Sequence, residues 1–161
     1  MNILPLTYLG NTEWWALLLG GEAVIDVGEH YVKQTCRNRA EILTADGVMV
    51  LTVNVEKGSS LRKKAVAAME VDYSKRWQHQ HYQALMSAYK NSPYYDYYAD
   101  RFTPLYEREW RHLTDLNMAI LEAMCKTLKI KMPRISDTYI TATEGDIDMR
   151  NKKRGSTLCA E

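Results

Sequence analysis

The chain has little cysteine, and nowhere the spacing that cysteine chemistry needs. Cys36, Cys125 and Cys159 stand far apart. No two cysteines are separated by just two residues, so neither a zinc cage nor a disulfide framework is expected. Isolated thiols of this kind fit a reducing, cytoplasmic location. Long apolar runs are missing as well. The longest, Trp14 to Leu19, is far too short to cross a bilayer, and no membrane insertion is expected. The N-terminus Met1-Asn2-Ile3-Leu4-Pro5 lacks the cationic start and small-residue cleavage site of a secretory leader. There is no excess of either charge: 21 Lys and Arg stand against 20 Asp and Glu, for a net charge of +1. No global field draws in a membrane surface or nucleic acid, and no nucleic-acid partner is expected. The patterns GxxxxGK[ST], GxGxxG and GxSxG are all absent, so no phosphate loop or nucleophile elbow announces a reaction. The sequence names no cofactor.

With 161 residues, 46% of them hydrophobic and 25% charged, the chain can form one domain with a substantial core. Ile3 to Leu6 reads as a buried first strand. Asn11 or Thr12 can cap a helix from Glu13 to Leu19, which Gly20-Gly21 would stop. Ala23 to Val27 is a second strand. Glu41 to Val55 is the clearest hairpin, with Asp46-Gly47 as its turn pair between arms rich in strand formers. Lys57-Gly58-Ser59-Ser60 reads as a polar loop, and Met69 to Tyr73 as a further strand.

The second half is helical. Ser74 can cap a helix from Lys75 to about Lys90, on which Trp77, His81, Leu85 and Ala88 share a face. Ser92-Pro93 and Thr103-Pro104 each pair a cap residue with proline and mark two more helix starts. Leu113, Leu116, Asn117, Ile120, Leu121, Met124 and Leu128 form the stripe of a last helix. From Gly145 onward the sequence is polar and aperiodic and reads as a loose tail. The expected fold is α/β, with α+β as the alternative. It has N-terminal strands that include the hairpin at 41–55 and a C-terminal bundle of three or four helices. A single domain spans 1–150, and 151–161 is a loose polar tail.

The densest chemistry lies in His30-Tyr31-Val32-Lys33-Gln34-Thr35-Cys36-Arg37-Asn38-Arg39, where three cations, a histidine, an amide and a hydroxyl crowd together without an acid. An extended or looped course is preferred, because in a helix Lys33 and Arg37 would stack repulsively at i,i+4. Lysine and arginine pair with phosphate or carboxylate, arginine bidentately. A solvated charged edge competes with this reading on even terms.

In Trp77-Gln78-His79-Gln80-His81-Tyr82 the two histidines are two residues apart. On a helix they point away from each other and cannot share a metal, so no metal site is expected. His81 falls on the Trp77/Leu85 face. It is either a core histidine bonded to a carbonyl or a general acid/base. Eleven of the sixteen aromatic residues lie between Tyr73 and Trp110. Core packing explains most of them, and a cleft lining the rest. Cys36 beside Arg37 suggests a lowered pKa, while burial as a small hydrophobe is its other reading. Asn117 on an apolar stripe needs partners, which the site or a neighbouring backbone could supply.

The ordered set of segments resembles the WbqC-like protein family, particularly its Bacteroidetes-type members. Leu6-Thr7-Tyr8-Leu9 comes first. Gly28-Glu29-His30-Tyr31-Val32-Lys33-Gln34-Thr35-Cys36-Arg37-Asn38-Arg39 is then close to the family's HExYxKQxxRNR pattern. Leu51-Thr52-Val53-Asn54-Val55 closes the hairpin, and Asp72 to Tyr82 carries tryptophan and histidine four apart. Ala88-Tyr89-Lys90-Asn91-Ser92-Pro93-Tyr94-Tyr95-Asp96-Tyr97-Tyr98 is similar to the family's AYxxSPxxxYY, and Asp115-Leu116-Asn117 follows in the last helix. Two departures stand out. His30 follows Glu29, whereas the family has the reverse order. Past Arg150 the family continues with an apolar segment, and here Asn151 to Glu161 is short and polar.

The resemblance implies a link to surface-polysaccharide or amino-sugar metabolism and names no reaction. Combined with the basic cluster, it leads to the expectation of a transferase-like protein acting on a small anionic or sugar-derived substrate. Lys33, Gln34, Arg37, Asn38, Arg39, Tyr8 and Tyr89 are the candidate substrate contacts, and His81 and His30 the candidate acid/base groups. The alternatives are a non-catalytic ligand- or protein-binding module and an inactive truncated copy. A homo-oligomer stays open.

Overall fold

The computed structural model describes residues 1–57 and 64–151. Most of the polar loop read after Lys57, and the tail from 152 onward, lie outside the described residues.

The fold is α/β. Strand β1 (Asn2–Pro5), helix α1 (Thr12–Leu19) and strand β2 (Ala23–Asp26) form a parallel unit, with Ile3 opposite Val24 and Leu4 opposite Ile25. Parallel neighbours need a crossover, and α1 supplies it. Asn11 caps α1: its side chain accepts from the Trp14 N–H at 2.8 Å. Two short strands from the far end of the chain, β5 (Arg134–Ser136) and β6 (Ile147–Asp148), complete a parallel sheet in the order β5-β2-β1-β6. The reading of a loose tail is thereby corrected over residues 145–151. Ile147 donates to the Met1 carbonyl at 3.0 Å and Met149 to the Ile3 carbonyl at 2.9 Å, so backbone pairing with β1 orders a segment that has no periodicity of its own.

The hairpin consists of β3 (Arg39–Thr44) and β4 (Gly47–Thr52). Thr44 pairs with Gly47, so the turn is Ala45-Asp46 and lies one residue earlier than expected. Gly47, at φ +107°, takes the positive angle where the chain re-enters the ladder. Met69 to Tyr73 forms no continuous strand. It makes single bridges, Val55 with Val71 and Glu70 with His112.

Helices α2 (Trp77–Tyr89), α3 (Tyr95–Glu107) and α4 (Leu113–Leu128) are the C-terminal three. Ser74 does not cap α2. Its N–H bonds to the Asp72 carboxylate at 2.8 Å, which makes a turn two residues ahead of the helix. Thr103-Pro104 starts no new helix, because α3 runs through it to Glu107. Tertiary contacts override the proline: Tyr106 is buried, and the Leu105 carbonyl accepts from the Trp110 indole at 2.8 Å. Helix α4 joins two apolar clusters. Leu113, Leu116 and Ile120 pack with Tyr8, Leu51, Met69 and Trp77, while Leu121 and Cys125 pack with Leu4, Trp14 and Ile25 from the β1-α1-β2 unit. Leu128, read as part of the stripe, is exposed. Among the described residues no helix is long and apolar enough to cross a membrane.

Candidate functional site

The basic segment is looped. Thr35 organises it: its hydroxyl donates to the Val32 carbonyl at 2.9 Å, and its own carbonyl accepts from the N–H groups of Asn38 and Arg39 at 3.3 and 3.1 Å. Tyr8 pins the loop from outside by donating its N–H to the Cys36 carbonyl at 2.9 Å. Gln34 at its apex has φ +59°, a left-handed conformation that costs a non-glycine residue about 1–2 kcal/mol.

Arg37 is buried beneath this loop. Its Nε and Nη2 donate to the two Glu29 carboxylate oxygens at 2.8 and 2.5 Å. Nη1 donates to Thr35 Oγ1, and Nη2 also donates to the Arg150 carbonyl, both at 3.0 Å. With four contacts and 1% exposure, its guanidinium faces protein on every side that the structure describes. Arg150 is a second buried arginine. It bonds Asp148 through Nε at 2.9 Å and Nη2 at 2.6 Å, bonds Asp26 through Nη1, and lies 4.4 Å from the centre of the Tyr139 ring. Hydrogen bonds to Asp148 and Asp26 hold its charge firmly and keep the Asp148 carboxyl below the usual range. Asp26 also accepts from the N–H groups of Gly28 and Ile140. Neither Asp26 nor Arg150 was a sequence candidate. The one signal in the sequence is Asp148 two residues before Arg150, close enough for the carboxylate to meet the guanidinium.

Asn38 and Arg39 are oriented differently. Asn38 Nδ2 donates to the Val53 carbonyl at 3.0 Å, while its Oδ1 is buried with no partner among the described residues. Arg39 Nε is likewise buried without one. Both residues line a cavity of about 320 Å³, with Tyr31, Lys33 and Gln34. Lys57 and Lys75 add two more cations, set against Glu56 and Asp72. Glu56 is engaged by Lys64, which is the main reason its carboxyl sits below the usual range. The cavity is therefore positive. Lys75, Thr52 and Asn54 belong to it and were not sequence candidates.

Tyr31 is pushed up to about 12 by burial, against the pull of Arg37 and Arg39. Burial likewise raises the Cys36 thiol and outweighs Arg37, so the small-hydrophobe reading describes it better than an activated thiol. Asn117 Nδ2 donates to the Arg37 carbonyl at 2.7 Å, and so supports the loop from α4.

His81 is 4% exposed on the buried face of α2. Its Nδ1 is 2.9 Å from the Tyr8 hydroxyl, which is 2.7 Å from the Tyr106 hydroxyl. Burial holds His81 down at about 4, with the Thr52 backbone carbonyl working the other way, so the ring is neutral at pH 7. Burial also keeps Tyr8 and Tyr106 protonated, the latter at about 12. The edge of His81 borders a second cavity of about 400 Å³, whose wall shares Thr52, Asn54 and Lys75 with the first. Tyr8 lies under His81 and lines neither cavity, and exposed His30 and Tyr89 are also outside both. The structure thus brings Lys33, Gln34, Asn38 and Arg39 together. It sets Arg37 below them and leaves His30 and Tyr89 apart. Among the described residues no cluster of metal-ligating side chains exists.

No curated protein and no solved structure matches the chain. The model of the WbqC-like protein family matches residues 23–160, which include the basic loop, both cavities and the three C-terminal helices. The chain belongs to the WbqC-like protein family.

Proposed function

We propose that the chain binds a small anionic, sugar-derived substrate through a phosphate or carboxylate held in the basic cavity. The observation that carries this is Arg39, which lines that cavity and whose Nε is buried with no acceptor among the described residues. A buried guanidinium N–H without an acceptor is unfavourable until an anion supplies one. Lys33, Gln34 and Asn38 complete the contact set, with Lys75 from the bend that precedes α2. Arg37 acts as a positioning residue that holds the loop's shape from below. The activity we infer is transferase-like, in surface-polysaccharide or amino-sugar metabolism. Neutral His81 would exchange a proton with a substrate in the adjoining cavity through the ring nitrogen that otherwise faces the Thr52 carbonyl, while the Tyr8 hydroxyl orients the ring through Nδ1.

A second reading, a ligand-binding module without chemistry, is favoured by one observation: His81 is nearly covered and its Nδ1 is already engaged by Tyr8. A thermal-shift screen against nucleotide-sugars, sugar phosphates, acyl-CoAs and amino acids tests the binding step, because a ligand of the native state raises Tm by mass action. The anion reading expects a sugar-phosphate class hit that disappears in Arg39→Gln. A hit unaffected by that change would place the site elsewhere. His81→Gln then separates the two readings, since loss of turnover with binding retained supports the transferase.

A further inference from the structure

The second cavity is a groove between α2 and the outer edge of β4. One wall is Met49, Val50, Leu51 and Thr52. Consecutive residues alternate between the two faces of a strand, so a cavity touching all four meets the strand along its edge. That edge is free, because β4 pairs with β3 and with no second strand among the described residues. The ladder fixes what the edge offers. Val53 donates to the Asn38 carbonyl at 2.8 Å, which makes Val50–Glu41 and Thr52–Arg39 non-bonded pairs. Backbone N–H and C=O groups of such pairs point away from the partner strand, so Val50 and Thr52 turn a donor and an acceptor outward; the Thr52 carbonyl meets His81, which leaves the groups of Val50.

The opposite wall comes from α2 and carries Trp77 and His81. Three of the four indoles donate to backbone carbonyls: Trp14 to Pro5 at 2.9 Å, Trp15 to Leu9 at 3.1 Å and Trp110 to Leu105 at 2.8 Å. Trp77 Nε1 is buried and has no acceptor among the described residues. Trp77 thus brings to one wall of the groove an indole whose N–H has no acceptor among the described residues, and β4 brings a strand edge to the other. A trans amide presents its C=O and N–H in opposite directions, which suits both walls at once.

We propose that the groove holds an amide group of the same substrate, its carbonyl accepting from Trp77 Nε1 and its N–H facing the β4 edge at Val50. This rests on the anion reading of the basic cavity. The shared wall of Thr52, Asn54 and Lys75 lets one small molecule span both. The substrate class is accordingly an anionic sugar with an amide next to its charged group.

The test titrates the full 15N-labelled chain with N-acetylglucosamine 1-phosphate and with glucose 1-phosphate, which share the phosphate and differ by the acetamido group. Indole resonances are assigned by triple-resonance NMR. The acetamido compound is expected to bind about tenfold more tightly, the ratio carried by one hydrogen bond to a buried donor. It should move the Trp77 indole N–H and leave those of Trp14, Trp15 and Trp110 in place. Glucose 1-phosphate should bind without moving Trp77. Trp77→Phe should erase the preference, and if that variant does not fold, the wild-type indole shift decides. Equal affinities with an unmoved Trp77 would overturn the amide groove and leave the anion reading intact. Binding of neither compound would overturn the anion reading and the inference with it.

Discussion

Arg37 and Glu29 form a paired contact in the interior, guanidinium edge to carboxylate edge, at 2.8 and 2.5 Å, with both side chains almost fully covered. Removing one partner leaves the other charged and uncompensated. Arg37→Ala is therefore expected to destabilise the fold by about 3–5 kcal/mol, read as a lower urea midpoint with an unchanged slope. A variant as stable as the wild type would mean that the pair is not what holds the loop.

Arg150 ties the end of β6 to Asp26 at the end of β2 and, through its carbonyl, to Arg37. Arg150→Lys keeps the charge but loses the planar fork that serves Asp148 and Asp26 together. It should recover only part of the stability that Arg150→Ala loses, and a full recovery would argue that charge alone suffices.

Gly28 passes close beneath residues 137–139. A Cβ there would lie 2.3 Å from the Tyr139 nitrogen and 2.4 Å from the Thr138 carbonyl carbon. Both are backbone atoms, so relief requires the crossing segment to move. Gly28→Ala should cost about 3 kcal/mol, the upper end for overpacking. A calorimetric Tm equal to the wild type would contradict that crossing.

His81 has a pH consequence. Its folded-state value of about 4 lies below the ordinary 6.5. Its contribution to stability is complete above pH 6.5 and lost as pH falls from there through about 4. The full loss is about 3 kcal/mol. Urea midpoints measured from pH 7.5 to 4 should drop less in His81→Gln than in the wild type across that window. Parallel curves would show that the ring is not held neutral by burial.

The sequence made some of this legible and hid the rest for physical reasons. Asn11 before an apolar run is a local capping signal, and α1 starts where it points. The stripe of α4 is periodic because one helix must cover two apolar clusters. Strands β5 and β6 carry no such mark. Two or three residues are too few to show a period, and their order comes from pairing with strands more than a hundred residues earlier. Among the site residues, composition located the basic loop but could not rank its arginines. Arg37 and Arg39 look equivalent in sequence. What separates them is Glu29, eight residues before Arg37, which turns inward with it. Trp77 carried a helix-face signal, yet that its indole lacks an acceptor is visible only in three dimensions.

Arg39, above the buried Arg37, is the residue we propose to receive the substrate's anionic group. Isothermal titration of glucose 1-phosphate into the wild type, Arg39→Gln and the exposed control Arg111→Gln measures this contact. Arg39→Gln is expected to weaken binding by about tenfold or more, as loss of a charge-assisted hydrogen bond should, with Tm nearly unchanged and the control like the wild type. Wild-type affinity in Arg39→Gln would contradict it.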